Sequence, residues 1–350
     1  MRFYTLLPLH GGKAPRWLFS RMVKLGGEIA TIIMDEFGPD EFLRRISDPM
    51  WFQALSCAMG YDWHSSGTTT VTMGALKEAL NESGDVYIAG GKGKQGVNTP
   101  AEIEKGTDLL NIPSESANFI EHSRLAAKID SAMVYDRLAI YHHTFVFSRH
   151  RKWAVVQQAM ECGTGYAVRF QWLSENVEER DIANEPHTGI QTTLRKESMD
   201  LTSADNAGVR RHMVDAIEYA NNPIRLLPSR HRIIPQIDMS RRAMQIIQKL
   251  NEININDYKE LLLINGVGRS TIRTLAFISS LVYNEKLAYR DPAMYAYNLG
   301  GKDGIPFRVN RAAYDSAIES LKKIIDEAHL GNYEKLSAFR RLDRLTETAH

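Results

Sequence analysis

Acidic, imidazole and amide side chains gather in the middle of the chain, around a stretch rich in Val, Tyr, Phe and Trp. The candidate catalytic residues there are Asp130, Asp136, His142, His143 and Gln158. Cleavage of a phosphodiester with a metal ion requires two or three carboxylates or imidazoles around Mg²⁺ or Mn²⁺. We therefore expect a Mg²⁺ or Mn²⁺ site. Its predicted ligands are Asp130, Asp136, Glu185 and His187.

The pair His142-His143 also has a purely structural interpretation. Neighbouring residues of a strand point to opposite faces of the sheet. A pair of this kind is then one buried, hydrogen-bonded histidine and one exposed histidine. The pair Gln157-Gln158 lies on the next predicted strand.

A second group of candidate functional residues lies near residue 267. A short apolar helix is predicted to end at Gly266-Val267-Gly268, and a second helix is predicted to begin directly after it. Glycines lack a Cβ, so a phosphate can approach the amides that begin the second helix. Val267 is expected to point inward. The predicted phosphate-binding side chains are Arg269, Ser270 and Thr271. The segment resembles the helix-hairpin-helix motif of DNA-repair proteins, which implies sequence-independent binding of a DNA backbone.

In the glycosylase branch of that superfamily an aspartate about two dozen residues beyond the hairpin assists base removal. Asp291 lies 25 residues after Gly266. The resemblance therefore implies a further candidate catalytic residue, Asp291. The alternative is an Asp N-cap before Pro292 at the start of a helix.

The string Gly-Gly-Lys occurs three times, at residues 11–13, 90–92 and 300–302. Adjacent glycine amides with an ammonium beside them can bind an anion. None of the three is a P-loop, because the spacing and the Ser/Thr after the lysine are missing. The lysines expected to contact phosphate are Lys13, Lys92, Lys94 and Lys302.

The elements that must position these groups follow from periodicity. Amphipathic helices are predicted over 17–37, 40–47 and 74–81, with a buried strand at 85–89. Strands over 138–147, 153–158 and 166–172 form an antiparallel meander. From residue 207 onward the pattern is helical to the end, with an amphipathic helix over 314–330. The fold class is therefore α+β, with a mixed domain at 1–200 and an all-helical domain at 201–350.

Composition limits the classes of protein. The 350 residues include 43% hydrophobic and 24% charged residues, as expected for a globular protein. The two cysteines predict a reducing, cytoplasmic location, and no apolar run suits a signal peptide or a membrane span. The net charge is only +1, yet residues 207–273 contain eleven Lys/Arg against six Asp/Glu. That excess favours DNA as a partner, although a solvated helical surface is the simpler interpretation.

Over nearly its whole length the chain resembles the family catalogued as domain of unknown function 763. The strings that carry the resemblance are 10–13 (HGGK), 51–55 (WFQAL), 62–67 (DWHSSG), 89–93 (AGGKG), 141–143 (YHH), 153–158 (WAVVQQ), 185–187 (EPH) and 300–304 (GGKDG). The resemblance implies no residue roles. Three functions stay open: a metal-dependent nuclease, a monofunctional glycosylase using Asp291, and a DNA-binding protein without catalysis.

Overall fold

The structure is a computed structural model that describes residues 14–60, 67–135, 138–161, 167–192, 198–220, 241–292 and 311–347. It has the α+β architecture expected from the sequence: helices at both ends of the chain enclose a central antiparallel sheet.

The first four helices precede the sheet. They are α1 (Arg16–Phe37), α2 (Pro39–Ser47), α3 (Pro49–Met59) and α4 (Gly67–Leu80). Local sequence explains their ends. Pro39 and Pro49 occupy first-turn positions, where a missing N–H costs nothing. Asp48 caps α3 by accepting from the amides of Met50 and Trp51 at 2.7 and 2.9 Å.

The sheet has five strands in the order β1 (Val86–Lys92), β2 (Leu138–Ser148), β3 (Trp153–Glu161), β4 (Ala167–Leu173) and β5 (His187–Thr192). All neighbouring pairs are antiparallel. Between β1 and β2 lie α5 (Lys94–Val97), α6 (Thr99–Leu109) and α7 (Ser116–Ile129), and α7 continues into a π-helical turn at Asp130–Val134.

Helices cover both faces of the sheet, and alternation along β3 shows how. Trp153 and Val155 belong to one hydrophobic cluster, whereas Ala154 and Val156 belong to the other. We call the side of the first cluster, which includes α7 and the π-helical turn, the α7 face. The side of the second, which includes α1 to α4, is the α3 face.

The C-terminal helices divide between these faces. The α7 face takes α8 (Ala207–Arg211), α9 (Ala216–Tyr219), α10 (Arg241–Leu250), α11 (Tyr258–Leu263) and α12 (Arg269–Tyr283). The α3 face takes α13 (Arg311–Glu327) and α14 (Asn332–Glu347). Each cluster thus includes residues from before and after position 200. The division into domains 1–200 and 201–350 stays a prediction.

The observed elements extend the predicted ones. The predicted strand at 85–89 joins the meander as its edge strand β1, and β5 adds a fifth strand. Helix α4 begins at Gly67 rather than near residue 74, because Thr68, Thr69 and Thr72 are buried against neighbouring elements. Packing here outweighs the low helix propensity of threonine. Within the described ranges, no helix is both long and apolar enough to cross a bilayer.

Candidate functional site

Asp130 lies at the junction of α7 with the π-helical turn, beneath the α7 face of the sheet. Its side chain is completely buried. A π-helical turn inserts a residue into the helix and redirects the following side chains, and such turns are frequent at functional sites. A buried carboxylate is strongly disfavoured unless several donors solvate it.

Three donors meet the Asp130 carboxylate. Nε1 of Trp172 donates to Oδ2 at 3.0 Å, and Nε2 of Gln157 donates to the same oxygen. Nε2 of His187 lies 2.5 Å from Oδ1. In the tautomer that donates Nε2–H to Asp130, Nδ1 of the His187 ring is the acceptor. An aspartate that fixes the tautomer of an imidazole is an arrangement that enzymes use for acid–base chemistry.

The hydrogen bonds continue away from Asp130. Oε1 of Gln157 pairs with Nδ1 of His143 at 2.7 Å, and Nε2 of His143 pairs with the hydroxyl of Ser123 at 2.8 Å. Burial lowers the pKa of His143. We call these five side chains, Ser123, His143, Gln157, Asp130 and His187, the buried relay. The relay joins α7, β2, β3 and β5 on one face of the sheet.

A second polar group crosses the α3 face. In the strand register, Lys92, His142, Gln158, Arg169 and Gln191 stand opposite one another on consecutive strands. Four of them are buried, and only Lys92 is exposed. We call the set the polar row.

His142 and Gln158 are the unusual members of the polar row. Neither ring nitrogen of His142 and neither amide atom of Gln158 has a hydrogen-bond partner among the residues that the structure describes. Burial lowers the pKa of His142 to about 3, with further lowering by His143 and Lys92. The imidazole is therefore neutral at physiological pH. Buried polar atoms without partners are rare in folded proteins and often mark places where water or a ligand binds.

Arg169 is 1% exposed and ties the polar row to the helices above it. Its guanidinium donates to the Gln191 amide, to Oε1 of Gln53 at 3.3 Å and to the Thr69 hydroxyl at 3.5 Å. It also lies 4.6 Å from the ring centroid of Phe52. A planar, permanently charged group held in this way is rigidly positioned.

The predicted catalytic residues are thus divided by the sheet. His143 and Asp130 meet in the buried relay, whereas His142 and Gln158 lie on the α3 face. The expected alternation of the two histidines is confirmed. The expectation that one histidine of the pair is exposed is wrong: His142 is 1% exposed and His143 is 7% exposed, because helices cover both faces.

Of the predicted metal ligands, only Asp130 and His187 come together. Glu185 instead accepts from the Arg290 guanidinium at 2.7 Å, a hydrogen bond that lowers the pKa of Glu185. Asp136 lies outside the described residues. Both Asp130 oxygens already accept hydrogen bonds, and within the described ranges no group of three His, Cys, Asp or Glu side chains is placed to hold a metal ion. One carboxylate and one imidazole do not fit Mg²⁺ or Mn²⁺, which take several oxygen ligands.

The Gly-Val-Gly segment connects α11 to α12 on the α7 face. Gly266 has φ +91°, a conformation that favours glycine, and Gly268 is the N-cap residue of α12 with φ −149°. Val267 is 2% exposed, so its predicted inward orientation is confirmed. At the start of α11, Asp257 accepts from the amides of Lys259 and Glu260. We call residues 264–268 the α11–α12 turn.

The α11–α12 turn contacts the elements that carry the relay. Nζ of Lys128, near the end of α7, donates to the Val267 carbonyl at 2.7 Å. The Arg269 guanidinium donates to the Leu138 carbonyl, at the start of β2, at 3.3 Å. Burial lowers the pKa of Lys128. The first turn of α12 therefore lies beside the end of the sheet where β2 begins.

The other predicted phosphate ligands differ in exposure. Arg269 and Ser270 are half-buried, and Thr271 is buried, so the Thr271 side chain is directed into the protein. Lys92 and Lys94 are exposed where β1 ends. Lys13 and Lys302 lie outside the described residues. At the end of β1, positive φ angles at Gly90, Gly91 and Gly93 turn the backbone sharply beside Lys92 and Lys94.

Asp291 is half-buried and close to the π-helical turn. The hydroxyl of Tyr135, the residue that follows that turn, lies 3.5 Å from Oδ1 of Asp291. Burial, and then the charge of Asp291, raise the pKa of Tyr135 well above its usual value. The chain is described only as far as Pro292 here, so the alternative helix N-cap at Asp291 stays a prediction.

Several residues that complete these groups were not among the predicted site residues. They are Ser123, Gln157, Trp172, Lys128 and Arg169. Arg169 was the one with a detectable signal. It is the only charged residue of the predicted strand 166–172, whose other residues are mostly apolar, so a solvated charge is unexpected there.

A five-stranded antiparallel sheet between two helical layers, with a buried Asp–His relay on one face, defines an α+β protein with polar groups in its interior. Residues 3–309 match the family described as "Protein of unknown function (DUF763)", and the chain belongs to that family. No curated protein and no solved structure matches the chain significantly.

Proposed function

We propose that the protein binds the backbone of DNA at the α11–α12 turn and hydrolyses a bond of the bound strand with acid–base help from the buried relay. One observation carries the proposal. Lys128, which is hydrogen-bonded to Val267 in the turn, lies two residues before Asp130, which holds His187. A strand docked on the turn is thereby placed next to the element that carries the relay.

The binding step rests on the start of α12. This helix has 15 residues, and its N-cap residue, Gly268, has no side chain that could cap it. Amides at a helix N-terminus favour an anion through hydrogen bonds and the helix dipole. An added Cβ at Gly268 would have no heavy atom within 4 Å, so one side of this residue is open. Contacts of this kind bind the phosphates of DNA whatever its base sequence.

The chemical step is assigned to His187. Its Nε2–H is held by Asp130, and Nδ1 is the atom that accepts a proton from attacking water. The hydroxide attacks a phosphorus atom of the backbone, the bond to the leaving oxygen breaks, and that oxygen takes up the proton from Nδ1 of His187. No step passes through a metal ion. The metal dependence expected from the sequence stays a prediction that the assay below tests.

Base removal is the second candidate function. This proposal is supported by the contact between Asp291 and the hydroxyl of Tyr135, the residue that directly follows the π-helical turn. In that reaction water would cleave the bond between a base and its sugar, assisted by Asp291. Its products are an intact strand with an abasic site, which breaks only on alkaline treatment.

Binding is tested with the full chain and labelled duplex of random sequence. Serine and aspartate both cap helices well, so Gly268→Ser and Gly268→Asp are matched in fold and differ in charge. We expect Gly268→Asp to lose at least tenfold more affinity than Gly268→Ser, because its carboxylate repels phosphate. Equal affinity of the two variants, or no binding by the wild-type chain at low salt, rejects the proposal.

Chemistry is tested on single-stranded and duplex DNA with EDTA, Mg²⁺ or Mn²⁺, and on duplexes with deaminated or oxidised bases followed by alkali. We expect His187→Gln to bind DNA normally and to form products at least a hundredfold more slowly. Replacement of the exposed His329 by glutamine is the control. Products that appear only after alkali and depend on Asp291 favour base removal. If the protein binds DNA but forms no product under any of these conditions, the catalytic part of the proposal is rejected and only DNA binding is retained.

A further inference from the structure

Helix α10 precedes α11 in the chain, and its sequence is RRAMQIIQKL. It contains Arg241, Arg242 and Lys249 and no acidic residue. All three cations are exposed, whereas Ala243, Ile247 and Leu250 are buried. The helix therefore presents a purely cationic outer surface.

Helix α10 packs directly on the turn. A Cβ added at Gly266 would lie 2.7 Å from Cδ1 of Ile246, so the two residues are in contact. Ile246 is half-buried, at the border between the buried and the exposed sides of α10. The exposed residues that flank Ile246 therefore lie on the side of α10 that carries this contact.

Helical geometry identifies those neighbours. At about 100° per residue, Arg242 and Lys249 lie only about 40° and 60° around the axis from Ile246, on the same side. Arg241 lies about 140° away, on the outer surface far from the turn. Arg242 and Lys249 are thus one helical turn before and one after the residue that touches Gly266, about 10 Å apart along the axis.

We propose that Arg242 and Lys249 of α10 bind phosphates on either side of the phosphate held at the α11–α12 turn. This proposal rests on the proposed function, since it extends the same DNA-binding surface. Neither side chain forms an ion pair with a residue in the described ranges, so both cations are available to an external anion. Two added phosphate contacts also supply affinity that a single helix N-terminus does not.

The test uses the full chain and a labelled 20-base-pair duplex of random sequence at several salt concentrations. The variants are Arg242→Ala, Lys249→Ala and the double variant, with Arg241→Ala as the matched control on the same helix. We expect the double variant to bind at least tenfold more weakly at 100 mM salt. Its slope of log K against log salt should fall by about 2, one for each lost contact. Arg241→Ala should stay within twofold of wild type.

Two outcomes overturn this inference and can be told apart from failure of the proposed function. If Gly268→Asp weakens binding while the double variant keeps the wild-type salt slope, the turn binds DNA and α10 does not. A loss with Arg241→Ala equal to that of the double variant shows a general charge effect and also rejects the assignment. If the wild-type chain binds no DNA, both proposals fail. Thermal unfolding of each variant confirms that the fold is retained.

Discussion

Nε2 of His187 lies 2.5 Å from Oδ1 of Asp130, and the two residues are 4% and 0% exposed. They are 57 positions apart in the chain, on β5 and at the start of the π-helical turn. This bond fixes the edge strand β5 to the end of α7. It is both the centre of the buried relay and a structural link.

A double-mutant cycle measures the strength of that link. Asp130→Asn places an amide N–H₂ against donors that need an acceptor, and His187→Gln removes the imidazole. Each single variant is expected to lower the free energy of unfolding by about 2–4 kcal/mol, because it leaves buried polar groups without partners. The coupling energy is expected to be about 1–3 kcal/mol. Urea unfolding of the four proteins measures it, and strictly additive losses would contradict direct coupling.

His142 should make the stability of the protein depend on pH. Its pKa of about 3 in the folded chain is below the ordinary value of 6.5, so the unfolded chain binds more protons between these values. The contribution of neutral His142 to the free energy of unfolding is fully present above pH 6.5 and declines as the pH falls. At pH 5 the loss is about 2 kcal/mol. The variant His142→Leu should lose less free energy of unfolding between pH 7 and pH 5 than wild type does. Its free energy of unfolding at pH 7 should change little, since an apolar group replaces polar atoms that have no partners in the described ranges.

Urea unfolding at pH 7 and pH 5 tests the His142 prediction. The exposed His329→Leu is the control and should unfold like wild type at both values. If His142→Leu loses as much free energy of unfolding between pH 7 and pH 5 as wild type does, another group causes the pH dependence. His143, whose pKa is also lowered by burial, is the first candidate for that group.

Adjacent arginines on α8 should differ greatly in their importance for stability. The Arg210 guanidinium is buried, donates to Asp181 at 2.6 Å and also binds the carbonyls of Leu201 and Ser203. Arg210→Met leaves these acceptors unpaired and should cost about 3–5 kcal/mol. Arg211 is exposed, so Arg211→Met should change stability by less than about 0.5 kcal/mol. Thermal and urea unfolding of both variants measure this difference. Similar stabilities of the two variants would contradict the hydrogen bonds assigned to Arg210.

Two helical glycines should respond to alanine with opposite signs. A Cβ at Gly106 in α6 would lie 2.7 Å from Cζ of Phe147 and closer still to the Tyr87 ring, so Gly106→Ala should cost about 1–3 kcal/mol by overpacking. At Gly74 in α4 the nearest atom would be 3.8 Å away, in ordinary contact. Gly74→Ala should therefore stabilise the protein, by up to about 1 kcal/mol of helix propensity. Melting temperatures that fall for both variants would contradict the second expectation.

The sequence by itself determined the local elements and some orientations. Alternating apolar residues predicted the three meander strands, and two glycines around Val267 predicted a tight connection between helices. Both signals are local, because strand alternation and glycine backbone freedom act within a few residues. The opposite directions of His142 and His143 followed from the same period of two.

Only the tertiary structure decided which of these residues meet. Asp130 pairs with His187 rather than with Glu185, because β5 places His187 beside the π-helical turn while Arg290 holds Glu185. The sheet separates Gln158 from Gln157, so candidates that are adjacent in sequence belong to different groups. The covering of the second face by helices, which leaves His142 buried, depends on contacts between distant parts of the chain. No local pattern encodes such contacts, since they arise only when both hydrophobic clusters form around one sheet.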